Sequence, residues 1–123
     1  MGGGDGGISG VAGVIVWTGN FRKMVDFYRD TLGLRPRSVK AAFANFEWGR
    51  FRLSIGKHGD VQGPSRDPLR IMINLAVDDI FACHTRLTAA GVLFLRPPER
   101  EEWGGMVATF SDPDGNTLQL FQM

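Results

Sequence analysis

The sequence predicts an α+β domain made of two βαβββ modules, and three observations lead there. A β-branched or apolar run followed by a helix occurs twice, with the residues that would start the helices, Asn20 and Asp79, 59 positions apart (79 − 20). Gly33 and Gly91, each placed to end a helix in the left-handed conformation, are 58 apart (91 − 33), so one residue of slippage falls inside the helix. The chain then closes on two alternating apolar runs around Asp112-Pro113-Asp114-Gly115-Asn116. Proline fixes φ there, Asp and Asn bond their own backbone, and glycine supplies positive φ, which makes a hairpin with a long turn.

In chain order, residues 1–10 are too glycine-rich to hold structure and read as a flexible tail ahead of one domain over residues 11–123. Residues 11–17 are short and β-branched, a strand, and Thr18-Gly19-Asn20 supplies a break and an N-cap. Phe21, Met24, Val25, Phe27, Tyr28 and Leu32 recur at helical spacing, with charged residues on the other side. Strands are predicted over 34–40, 42–48 and 51–55, the last two joined by a tight turn at Gly49-Arg50. A loop over 56–70 links the modules, since Gly59, Gly63, Pro64 and Pro68 punctuate it. The second module, from residue 71, reads as a strand to 77, a helix from the Asp78-Asp79 cap to about Ala90, and a strand over 92–95. A charged turn at 97–102 then leads to the hairpin.

Composition narrows the function. With 14 Lys+Arg against 13 Asp+Glu among 123 residues, the chain lacks the basic field that nucleic-acid or anionic-membrane binding requires. No apolar run approaches the roughly 20 residues of a spanning helix. The single cysteine, Cys83, rules out an internal disulfide or a CxxC metal site, and a cytoplasmic location is expected. A chain this long buries roughly two-thirds of its unfolded surface, enough for a real core.

With the repeat in view, the chain resembles the vicinal-oxygen-chelate superfamily of glyoxalase I, extradiol dioxygenases, fosfomycin-resistance enzymes and bleomycin-binding proteins. Val14-Ile15-Val16, Phe27-Tyr28 and Leu32-Gly33-Leu34 carry the likeness in the first half. In the second half it rests on Leu75-Ala76-Val77-Asp78-Asp79-Ile80, Arg86-Leu87, Ala90-Gly91-Val92, Trp103-Gly104 and the Asp112–Asn116 turn. The resemblance implies modules whose sheets curl into an incomplete, mixed β-barrel around a cavity, helices outside, usually as a homodimer with the modules paired within a chain or between chains. It also implies a divalent metal held by up to four inward side chains and acting as a Lewis acid. Carried onto this chain, those positions fall at Gly13, Arg52, Met72 and Gln119, a poor set for a hard cation. His58 lies in the linking loop and His84 on the second helix, away from any inward strand. No metal or other cofactor is therefore expected.

Strand alternation then predicts the cavity lining. Gly13, Ile15 and Trp17 share one face, as do Met72, Asn74 and Ala76, Arg52 and Ser54, and Thr117, Gln119 and Phe121. The other face, Val14, Val16, Phe51, Leu53, Ile55, Ile71, Ile73, Leu75, Val77, Leu118 and Leu120, is uniformly apolar and suited to pack under helices. Phe43, Phe46, Trp48 and Trp103 are further candidate walls that alternation does not place. Each aromatic either holds ligand or fills the barrel or an interface. The candidate ligand residues are Trp17, Trp48, Arg52, Ser54, Met72, Asn74, Trp103, Thr117, Gln119 and Phe121. Arg52 should meet a carboxylate such as Glu47 or an anionic ligand group. Three functions are consistent with this set: metal-independent binding of a partly aromatic or anionic small molecule, a metal-dependent lyase, isomerase or dioxygenase, and a metal-free enzyme using Arg52 electrophilically with Glu47 as base.

Overall fold

The computed structural model describes residues 6–123, so the first half of the expected glycine-rich tail lies outside the described residues. The first module contains β1 (Gly13–Thr18), the helix α1 (Phe21–Val25) continuing as a π-helical segment (Asp26–Thr31), β2 (Ser38–Val39), β3 (Phe43–Trp48) and β4 (Phe51–Lys57). The second contains β5 (Ile73–Ala76), α2 (Ile80–Ala89), β6 (Phe94–Arg100), β7 (Met106–Ser111) and β8 (Thr117–Gln122). Each module forms one mixed four-stranded sheet, ordered β1-β4-β3-β2 and β5-β8-β7-β6, and the first strand of each runs parallel to the last. These are the two predicted α+β modules, curled sheets without a closed barrel.

Alternation selects what is buried. Val14, Val16, Leu53 and Ile55 from the first sheet and Ile73, Leu75, Leu118 and Leu120 from the second join one apolar core with Met24, Val25, Tyr28, Ile80 and Leu87 from the helices. Phe51 and Ile71, expected on this face, are exposed instead. Phe51 sits at the tip of the β3–β4 hairpin, where its partner is Trp48. Ile71 precedes the paired part of β5, which begins only at Ile73 opposite Leu118.

Gly33 (φ 81°) and Gly91 (φ 95°) end their helices in the left-handed region, as expected of residues without a Cβ. Asp79 caps α2 through a bond from the Ala82 N–H (3.0 Å), whereas the Asn20 side chain makes no such cap on α1. Two strand expectations are corrected. The predicted strand over 34–40 shrinks to Ser38–Val39, because Pro36 has no N–H to offer a ladder. The predicted turn at 97–102 is mostly strand, since β6 continues to Arg100. Pro97 and Pro98 are tolerated because β6 is an edge strand whose register shifts leave both prolines without a partner.

Candidate functional site

On the first sheet the face away from the core carries Ile15, Trp17, Phe43, Asn45, Glu47, Arg52 and Ser54, with Gly13 opposite Arg52 and Ile15 opposite Ser54. Trp17 is 42% exposed, and its ring meets Phe43 at 6.0 Å and, edge-on, His58 at 5.3 Å. Gly56 makes room for it, because a Cβ there would stand 2.6 Å from the Trp17 ring and 2.8 Å from that of Phe43. Ser54 forms a buried floor and donates to Asn45 Oδ1 (2.6 Å). Arg52 does meet Glu47, through Nη2 (2.6 Å) and Nε (2.9 Å) to Oε2, but its side chain is 56% exposed, so the pair offers a charged rim and no buried charge. Arg37 takes the other Glu47 oxygen at 3.3 Å. Both oxygens of the candidate base are thus engaged by guanidinium groups.

The equivalent face of the second sheet carries Asn74, Ala76, Val107, Thr109, Gln119 and Phe121. Gln119 Nε2 donates to Asn74 Oδ1 at 2.9 Å. Trp103, from the loop before β7, stacks on Phe121 with centroids 5.6 Å apart and planes at 28°, and stays 56% exposed. Gly105 permits this pose, since a Cβ there would lie 2.0 Å from the Trp103 ring. Met72, just ahead of β5, is half-exposed. Thr117 is buried, with its N–H given to the Pro68 carbonyl (3.3 Å), so the linking loop shields it.

Trp48 belongs elsewhere. It shares strand parity with buried Ala44 and Phe46 and so points to the side opposite Arg52. There it borders a mostly apolar cleft of about 420 Å³ with Val14, Phe51, Leu53, Ile73 and Asn74. The cleft lies between the modules at the edge of β5, so Asn74 is the one candidate residue common to it and the open face.

The positions that the resemblance assigns to a metal do not fit one. The register pairs Gly13 with Arg52 and Asn74 with Gln119, and the neighbouring rung of the first sheet pairs Ile15 with Ser54. Whichever rung is taken, no pair supplies a histidine or carboxylate, and Arg52 brings a cation. Among the described residues no three His, Cys, Asp or Glu side chains gather to hold an ion.

A second polar cluster, not foreseen from the sequence, ties the modules together. Tyr28, from the π-helical segment, donates its hydroxyl to Asp112 Oδ2 (2.7 Å), and Thr18 donates to Asp114 Oδ2 (2.6 Å). Asp112 also receives the N–H groups of Asp114 and Asn116 and the Asn116 amide, which fixes the turn. Burial raises the Asp112 carboxyl above its ordinary range despite these bonds, and burial together with Asp112 raises the Tyr28 phenol well above its own. The signal available was the polar tip of Tyr28 within an otherwise apolar helix face.

A family model for the Glyoxalase/Bleomycin resistance protein/Dioxygenase superfamily matches residues 10–120. The chain belongs to that superfamily. It is 29% identical over 116 residues to the uncharacterized protein YraH of Bacillus subtilis, covering 85% of this chain and 91% of that protein. It is 34% identical over 68 residues to a bleomycin resistance protein of Klebsiella pneumoniae, covering 48% of this chain and 54% of the relative. A superfamily member from Sphaerobacter thermophilus has a crystal structure that superposes with a TM-score of 0.73 at 27% identity, covering 94% of this chain and 98% of the other.

Proposed function

We propose that this superfamily member is a metal-independent binding protein for a small, partly aromatic or anionic molecule, acting in the cytoplasm as a homodimer. The observation that carries the reading is the combination of stacking surface and fixed polar groups on two exposed faces. Trp17 and Arg52 share one face of the first sheet, Trp17 opposite Gly56 at one end and Arg52 opposite Gly13 at the other, and Trp103 covers Phe121 on the strand of the Asn74–Gln119 pair on the second sheet. Indole faces supply large, rigid contact area, while the guanidinium and amides supply orientation. Large side chains at this exposure are ones a ligand or partner would cover, as with Ile15 at 48%.

A second copy is supported by the sheet edges. β1 and β5 each end a sheet and have one unpaired side, a place where another strand or module docks. Bringing the open face of one module over the complementary face of a partner copy would turn two surfaces into one cavity. The name of the Klebsiella relative makes metal-free bleomycin the first probe. Chelator-treated protein should show a saturable change in tryptophan fluorescence on titration with it, weakened in Trp17→Ala and in Trp103→Ala. A saturable change unaltered in both variants would contradict the site.

A further inference from the structure

A second concavity lies on the opposite side of the first sheet from Trp17. The end of β4, the β2–β3 turn and the exposed face of α1 enclose a cleft of about 510 Å³ whose charged lining is Arg22, Arg29, Lys40 and Lys57 against the single acid Asp26. Arg29 is already forked onto Asp26 (3.2 Å) and Asp30 (2.8 Å). Among the described residues Arg22, Lys40 and Lys57 have no ion partner. Three uncompensated cations therefore border one concavity in a chain whose net charge is only +1.

Strand parity separates this cleft from the proposed ligand face. Lys57 follows Leu53 and Ile55 on the core side of β4, whereas Arg52 and Ser54 face the other way. Like charges around a concavity repel one another and focus a positive potential into it, which an anion relieves. Gly19, Asn20, Phe21, Val25, Val39 and Ala41 complete the lining and bring no further charge. We propose that this cleft is a binding site for a small, multiply charged, phosphate-type anion, independent of the ligand face. Lysine and arginine together suit such a group, since ammonium acts as a point charge and guanidinium as a fork.

The test uses the full chain and inorganic pyrophosphate at constant ionic strength, followed by amide chemical shifts. Saturable shifts centred on Arg22, Lys40 and Lys57 are expected, with affinity roughly tenfold weaker in Arg22→Gln/Lys57→Gln, the worth of two exposed ion contacts. The charge-matched control Arg35→Gln/Arg66→Gln, at two exposed residues away from the cleft, should bind as the parent does. An equal loss in both double variants would show a net-charge effect and overturn the site. So would shifts that do not saturate, or binding to phosphatidylserine-containing vesicles without binding of pyrophosphate.

Discussion

At the scale of single residues, the proposed ligand contacts and fold maintenance fall to different side chains. Trp17 is 42% exposed and lies outside the apolar core cluster, so Trp17→Ala should weaken ligand by about 1 to 3 kcal/mol while the circular dichroism spectrum and urea midpoint stay close to the parent. Tyr28→Phe should do the reverse. It leaves buried Asp112 one donor short, at about 1 to 3 kcal/mol of stability, read as a lower urea midpoint with unchanged slope. Asp112 also sets a pH dependence. Its folded-state pKa is raised, so its contribution is complete below the ordinary carboxylate value of 3.8 and is lost as pH rises through the folded value. The stability of the parent relative to Asp112→Asn should therefore fall as pH climbs out of the acid range and then level off. A rise over that range would contradict the assignment. Trp17, Ser54, Arg52 and Gln119 were legible in the sequence because period-two alternation fixes a side once a strand is located. Tyr28 and Asp112 were not, because their bond joins residues 84 apart and no local pattern encodes that contact.

At the scale of elements, close backbone approach explains where glycine is required. A Cβ on Gly13 would stand 2.1 Å from the Arg52 carbonyl oxygen, so Gly13→Ala should push β1 off β4 and cost about 1 to 3 kcal/mol, measured by urea unfolding. Gly105→Ala differs, because the clash is with the Trp103 ring, which can swing away. It should alter Trp103 fluorescence and ligand affinity with little change in stability. The helices and the terminal hairpin were readable from caps, periodicity and the Asp112–Asn116 turn. The continuation of β6 past Leu95 was not, because Pro97-Pro98 is a turn signal in sequence and only an edge position with shifted register lets it remain in a sheet. Trp48 lies two positions from Phe46 and takes its core-side parity, which a sequence without a located β3 start leaves open.

At the scale of the whole molecule, helices and the inner sheet faces share one core while both outer faces stay open, with unpaired edges at β1 and β5. Sedimentation at micromolar concentration should give a dimer, and acrylamide quenching of Trp17 should be weaker in it than in a dilute monomer. The duplication that organises the chain was visible as a fixed spacing in the sequence. How the two modules pack was not, since that depends on Tyr28, Thr18 and the buried carboxylates of the last turn.

The proposed function requires the open faces to bind ligand without a metal, since Gly13, Arg52, Met72 and Gln119 supply no carboxylate or imidazole. Elemental analysis after dialysis against nickel, manganese, iron and zinc, with chelator-treated protein as control, tests it directly. Metal far below one ion per chain is expected. Near-stoichiometric metal surviving dialysis would contradict it and make the chain a metalloprotein of its superfamily.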